Sequence, residues 1–120
     1  MSTIKIITIV SYKGGTGKTT TAKNMATILA QKYDAKVLCI DLDASGNLSS
    51  YFGCKKEEDQ LCGLHRLLLD SNVSASDVIQ HTKYANIDII DSNDTVTKAD
   101  IAMKSDYVSP QQFHLRDKLQ

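Results

Sequence analysis

Between residues 13 and 20 the chain reads Lys13-Gly14-Gly15-Thr16-Gly17-Lys18-Thr19-Thr20. This segment follows a strand-length apolar run at residues 4–10 and precedes residues whose apolar side chains recur at helical spacing. The order of strand, glycine-rich turn and helix is typical of a phosphate-binding site. Glycines let backbone N–H groups approach phosphate oxygens, and the start of the helix adds free N–H groups and a partial positive charge. This stretch therefore predicts both the fold class and the site.

The side chains at the end of this turn suit a nucleoside triphosphate and its metal ion. Lys18 carries a full positive charge on a flexible stem. The hydroxyl of Thr19 stands where a phosphate-bound Mg²⁺ needs an oxygen ligand. Thr20 is expected on the α-phosphate side. The predicted nucleotide-binding residues of the turn are Gly14, Gly15, Thr16, Gly17, Lys18, Thr19 and Thr20.

Two other interpretations of the same stretch stay open on the residues alone. The strict phosphate-loop pattern G-x-x-x-x-G-K-[ST] asks for glycine where this chain has Tyr12. A dinucleotide-binding turn would use Gly15 and Gly17 as its first glycines, with Asp41 at the ribose. Its third glycine would then fall on Thr20. A plain strand-to-helix turn would need no ligand, but a lysine followed by a hydroxyl favours the phosphate loop over both alternatives.

The extra lysine at the start of the stretch, Lys13, gives the stretch a particular likeness. In this form it resembles the deviant Walker A box of the ParA/MinD family of ATPases. Other segments agree along nearly the whole chain, and the likeness is greatest to ParA-type partition proteins. These segments are Thr21-Ala22-Lys23-Asn24-Met25-Ala26, Val37-Leu38-Cys39-Ile40-Asp41-Leu42-Asp43, Gly46-Asn47-Leu48-Ser49 and Ile89-Ile90-Asp91-Ser92-Asn93.

The resemblance implies roles for charged side chains around the turn. It implies that Asp41 lies near Mg²⁺, often through a water, and that Asp43 orients the attacking water. Residues two apart on a strand share a face, so both carboxylates can face the phosphates. It implies that Lys13 binds nucleotide across a dimer, as an arginine finger does in trans. The implied catalytic residues are Lys13, Lys18 and Asp43, and the implied metal ligands are Thr19 and Asp41.

The later part of the chain leaves one assignment open. Asp91 ends an apolar run and could imitate a Walker B aspartate. The Ser92-Asn93 that follows aligns better with an earlier strand of the family, which would put the Walker B residue outside this sequence. The turn after the second aspartate has Ala44-Ser45 where the family has Pro-Gln, so the loop near the attacking water is expected to differ.

Composition indicates one globular domain, residues 1–120, without charge bias. The 120 residues are 42% hydrophobic, and 14 basic side chains balance 14 acidic ones. Net charge therefore gives no hint of a nucleic-acid or membrane partner. The sequence has no apolar run near the roughly 18 residues of a membrane span. Cys39, Cys54 and Cys62 lack metal-ligand spacing, which favours reduced thiols in a cytoplasmic protein.

The predicted fold class is α/β, a P-loop NTPase-like parallel sheet flanked by helices. Residues 4–10 have the nearly continuous apolar character of a strand buried on both faces of a parallel sheet, and residues 36–41 and 87–91 are predicted as the second and third strands. A helix from Lys18 to about Lys32 would join the first two strands in a right-handed βαβ unit and bring Lys18 and Asp41 to one rim. Further helical stretches are expected at residues 48–52, 63–69, 74–79, 96–104 and from 109 onward.

The chain is much shorter than ParA-type ATPases, so the resemblance implies an incomplete domain, its N-terminal portion. The whole protein would bind ATP and Mg²⁺, form a nucleotide-dependent homodimer, and bind DNA without sequence preference. A ParB-like partner would stimulate hydrolysis and release from DNA. The output would be plasmid or chromosome partition. The alternatives are a MinD-like ATPase that cycles on a membrane and a non-catalytic nucleotide-binding fragment.

Overall fold

The described part of the chain contains five helices and three strands. The structure, a computed structural model, describes residues 4–10, 17–54, 60–104 and 119. Its elements in chain order are α1 (Lys18–Lys32), β1 (Val37–Ile40), α2 (Asn47–Tyr51), α3 (Gly63–Leu69), α4 (Ala75–Val78), β2 (Gln80–His81), β3 (Ile87–Ile90) and α5 (Thr95–Lys104). None of the described helices has the length and apolar character of a membrane-spanning segment. Apart from residue 119, the expected helix from residue 109 lies outside the described residues.

The sheet has the strand order β1-β3-β2 within the described residues. β1 and β3 are parallel, with Val37 opposite Ile87 and Ile40 opposite Ile90. β2 pairs antiparallel with the other edge of β3. The α/β class is confirmed, but the sheet is mixed rather than parallel throughout. A strand of two residues is too short to show any periodicity, which is why the sequence did not predict β2.

Residues 4–10 do not form the strand that their apolar run predicts. The side chains of Ile4, Ile6 and Val10 are 88%, 87% and 82% exposed. β-Branched residues favour extended backbone, but the hydrogen bonds of a strand come from a neighbour. No described strand pairs with this segment. The expected βαβ unit is therefore wrong in its first strand, and the parallel pair of the described sheet is β1 with β3.

The sheet separates two apolar clusters, because successive residues of a strand point to opposite faces. Ile89 belongs to the cluster under α1, whereas Ile90 belongs to the cluster under α3 and α4. β3 therefore has buried residues on both faces of the sheet. The first cluster contains Ala26, Ala30, Cys39, Leu48, Phe52, Ile87 and Ile89, and the second contains Cys62, Leu64, Leu67, Val73, Val78 and Ile90.

Two turns with left-handed backbone set the start of the parallel pair. Asp34 precedes β1 with φ 53°, and Asn86 precedes β3 with φ 68°. Asp and Asn tolerate this conformation better than other residues with a side chain. The amide of Asn86 donates to the Asp34 carboxylate at 3.0 Å, and Val37 N–H donates to the Asn86 carbonyl at 2.8 Å. These bonds fix the register, so the carboxyl ends of β1 and β3 lie side by side.

Candidate functional site

The start of α1 is open to an anion. Gly17 is its N-cap, in left-handed conformation at φ 84°, and offers no side chain to occupy the helix N–H groups. Thr21 N–H donates to the Gly17 carbonyl at 2.8 Å, and this bond begins the helical ladder. The N–H groups before Thr21 have no acceptor within the helix. The first turn also contains no acidic residue, so these N–H groups and the helix dipole can act on a ligand.

The predicted phosphate-binding residues divide into two groups. Lys18, Thr19 and Thr20 form the first turn of α1, where Lys18 and Thr19 are half-buried and Thr20 is exposed. Gly17 lies immediately before them. The other members, Lys13, Gly14, Gly15 and Thr16, lie outside the described residues, and their roles stay predictions.

The end of β1 brings a carboxylate to the start of α1. Lys18 Nζ lies 3.8 Å from Asp43 Oδ2, and their side chains are 32% and 46% exposed. An ion pair this open to water contributes at most about 1 kcal/mol. Lys18 can therefore exchange this carboxylate for a phosphate at little cost. The sequence predicted that the two elements meet at one rim, and the structure has Asp43 as the residue in contact.

Asp43 sits in a tight turn that keeps it charged. Its Oδ1 accepts from Ser45 N–H at 3.0 Å, and its carbonyl accepts from Gly46 N–H at 2.9 Å. The Ser45 N–H bond lowers the pKa of Asp43 most, burial opposes this, and the Ser45 hydroxyl and Lys18 lower the pKa further, so the pKa is lowered overall. Asp43 is therefore a carboxylate at neutral pH and acts only as a hydrogen-bond acceptor.

Asp41 faces inward. Its side chain is 4% exposed. Oδ1 accepts from Asp43 N–H at 3.0 Å, while Oδ2 accepts from the N–H and hydroxyl of Ser49 at 3.0 and 2.7 Å. A carboxylate oxygen has two acceptor positions, so, counting the partners among the described residues, Oδ2 is filled and Oδ1 keeps one position. This arrangement suits contact with a metal ion through a water on Oδ1 better than direct bidentate ligation.

Two residues that carried no assigned role in the sequence hold this loop in place. The Ser49 hydroxyl, on α2, accepts from Ser92 N–H at 2.8 Å and so connects the ends of β1 and β3. Gly46 has φ 65°, and a Cβ there would lie 2.7 Å from the Ser92 carbonyl oxygen. The Gly-Asn pair marked the turn, but a serine within a short helix gives no sign of its burial.

Asp91 supports α3 in this structure. Its Oδ1 accepts from Gly63 N–H at 2.8 Å and from the Gln80 side-chain amide at 3.1 Å, and its carbonyl accepts from Leu64 N–H at 3.0 Å. A Cβ at Gly63 would lie 2.8 Å from the same Oδ1. These contacts favour a structural link between β3 and α3 over the Walker B alternative that the sequence left open.

Comparisons with known proteins agree with this arrangement. The model of a family described as an AAA domain matches residues 4–120. The virulence plasmid ParA family protein pGP5-D of Chlamydia muridarum is 43% identical over 88 residues, which cover 73% of this chain and 32% of that protein. The chain belongs to the ParA/MinD family of ATPases. In this ParA/MinD-family chain, the start of α1 contains the last residues of the stretch that resembles the deviant Walker A box.

Two further relatives place the likeness in sequence and in structure. The sporulation initiation inhibitor protein Soj of Bacillus subtilis is 36% identical over 99 residues, covering 82% of this chain and 38% of Soj. A structure of McdA from Cyanothece in complex with ATP superposes with a TM-score of 0.77 at 31% identity, covering 92% of this chain and 40% of McdA. The chain thus spans about two fifths or less of the length of these relatives.

Proposed function

We propose that this chain binds ATP with Mg²⁺ at the start of α1 and supplies the phosphate-binding part of a ParA-like ATPase that acts in plasmid or chromosome partition. The observation that carries the proposal is the glycine-capped helix start beside Lys18 and Asp43, whose charged atoms are 3.8 Å apart. The ATP complex of McdA and the ParA-family relatives support the choice of ligand and process.

The described residues fit a triphosphate. The first turn of α1 offers N–H groups with no acceptor in the helix, and Gly17 leaves them accessible. The phosphates would take the Lys18 ammonium from Asp43, because a charge-assisted bond to phosphate is stronger than a half-exposed ion pair. Gly14, Gly15 and Thr16 would add further backbone N–H groups, and Thr20 would contact the α-phosphate.

Thr19 and Asp41 fit a magnesium ion. Mg²⁺ prefers oxygen ligands and keeps several waters. Thr19, half-buried in the first turn of α1, would give its hydroxyl. Asp41 would contact a metal-bound water through the free position of Oδ1, since Ser49 fills Oδ2. When bound, the ion would neutralise negative charge on the phosphates.

Hydrolysis would depend on Asp43. Its carboxylate is charged, 46% exposed and held toward the start of α1 by the turn at Ser45. Once Lys18 turns to phosphate, Asp43 would be left to accept a hydrogen bond from the attacking water and orient it. Lys13 would complete the site in the second subunit of a dimer. A ParB-like partner, non-specific DNA and a cytoplasmic location belong to the proposed role of the whole protein.

Calorimetric titration with ATP and Mg²⁺, together with a turnover assay, tests this function. Lys18→Ala should weaken binding by roughly 30- to 150-fold, the equivalent of about 2–3 kcal/mol for lost charged hydrogen bonds. Lys32→Ala, at the other end of the same helix, is the matched control and should bind as the unaltered chain does. Asp43→Ala should keep affinity within about threefold and lose turnover. Equal affinity of Lys18→Ala and Lys32→Ala for ATP would contradict the proposed site. ATP binding by the unaltered chain without any turnover would favour the non-catalytic alternative.

A further inference from the structure

We propose that Ser49 is a positioning residue, which fixes Asp43 through Asp41 by joining the ends of β1 and β3 with a single hydroxyl. The geometric part of the proposal stands on the ligand-free structure. Its consequence for hydrolysis rests on the proposed function, in which Asp43 orients the attacking water.

The Ser49 hydroxyl makes two hydrogen bonds in a place closed to water. It donates to Asp41 Oδ2 at 2.7 Å and accepts from Ser92 N–H at 2.8 Å. Ser49, Asp41 and Ser92 are 1%, 4% and 3% exposed. A hydroxyl has one proton to donate and lone pairs to accept, so one side chain meets both needs. Without it, a backbone N–H and a carboxylate oxygen would each lose a partner where water cannot replace it.

The position of the Asp41 carboxylate directly affects the backbone of Asp43. Asp41 Oδ1 accepts from Asp43 N–H at 3.0 Å, so a rotation of the Asp41 carboxylate moves the backbone that carries Asp43. The turn that follows lies close to the same strand end, since a Cβ at Gly46 would be 2.7 Å from the Ser92 carbonyl oxygen. Ser49 therefore acts on Asp43 through the Asp41 carboxylate.

A general loss of stability is the competing explanation for any effect of Ser49. Two features distinguish a general loss of stability from a loss of positioning. The backbone N–H of Ser49 also donates to Asp41 at 3.0 Å and survives in Ser49→Ala, so the loop keeps part of its support. Ser92→Ala supplies a matched control, because its own hydroxyl is buried with no hydrogen-bond partner among the described residues while its N–H is retained.

Amide hydrogen exchange on the ligand-free chain tests the positioning itself. Ser49→Ala should speed exchange at the Ser92 and Asp43 amides by at least about tenfold relative to Ile89, while Ser92→Ala speeds neither. Faster exchange at Ser92 alone, or equal acceleration at Ile89, would overturn the proposal. Should Ser49→Ala not fold, Ser49→Cys, with its weaker donor, is measured by the same criterion.

Turnover of the complete protein tests the consequence. Ser49→Ala should lower kcat by about tenfold or more with KM for ATP nearly unchanged, and Ser49→Thr, which keeps the hydroxyl, should restore most of it. A raised KM with unaltered kcat would overturn the positioning role. If the Asp43→Ala variant hydrolyses ATP at the normal rate, the proposed role of Asp43 is wrong. The amide hydrogen exchange result still decides whether Ser49 fixes the position of Asp43.

Discussion

Replacing Gly46 with alanine perturbs the candidate site at its tightest point. Gly46 is the N-cap of α2 with φ 65°, a conformation that residues with a Cβ rarely adopt. The added Cβ would lie 2.7 Å from the Ser92 carbonyl oxygen and 3.6 Å from its carbon. Both neighbours are backbone atoms at the end of β3, so no side-chain rotation can relieve the contact.

The expected cost has two parts. Left-handed backbone at a non-glycine residue costs about 1–2 kcal/mol. Moving a packed backbone to admit a methyl group adds about 1–3 kcal/mol. Gly53→Ala is the matched control, because Gly53 has φ 86° but nothing within 4 Å of its added Cβ. We expect Gly46→Ala to lower the free energy of unfolding by about 2–5 kcal/mol and Gly53→Ala by only about 1–2 kcal/mol.

Urea denaturation followed by circular dichroism measures both variants. The slope of unfolding free energy against urea should match that of the unaltered chain, so that the change is one of stability. Gly46→Ala should also lower turnover of the complete protein, since the turn carries Asp43. Equal destabilisation by the two alanines would refute the close packing of this turn against Ser92, and with it the structural reasoning about the loop.

Lys13, Cys39 and residues 4–10 give three more expectations. Lys13→Ala should keep nucleotide affinity and lose ATP-dependent dimerisation in the complete protein, and an unaltered sedimentation profile would contradict its role in trans. Burial, and then Asp41, raises the pKa of Cys39 from 9.0 to about 11. Because the unfolded chain loses this proton first, stability should be retained below pH 9 and fall by about 2–3 kcal/mol as the pH rises through 11. A Cys39→Ala variant with the same alkaline loss would contradict this assignment. Ile6→Lys should change the unfolding free energy of this chain by less than about 0.5 kcal/mol, and a loss of about 2 kcal/mol or more would mean that residues 4–10 are buried as a strand.

Local signals predicted the elements that depend on local chemistry. α1 has the bounds expected from its apolar spacing, and the expected capped turn at residues 74–79 contains α4, where Ser74 N–H donates to Asp77 at 2.9 Å. β1 and β3 form from predicted apolar runs, and each run has a neighbouring strand in the described sheet. Residues 4–10 have the same composition but no described strand beside them. Composition indicates which segments favour a sheet and leaves the pairing undetermined.

Part of the candidate site was predictable from the sequence because it also depends on local chemistry. Gly17, Lys18 and Thr19 would act through the helix that they begin, so a contiguous stretch of sequence was enough to propose them. Ser49 acts through a bond to Ser92, 43 positions later. That contact exists only because β1 and β3 pair in register, which no single segment encodes. Long-range positioning of this kind becomes visible only in the folded chain.

A crystal structure with a non-hydrolysable ATP analogue and Mg²⁺ tests most directly whether the start of α1 holds phosphate. The account predicts phosphate oxygens about 3 Å from the N–H groups of Lys18 and Thr19, with the Lys18 ammonium moved from Asp43 to phosphate. The Thr19 hydroxyl should lie on the metal ion. A nucleotide bound elsewhere, with Lys18 still paired to Asp43 at 3.8 Å, would contradict it.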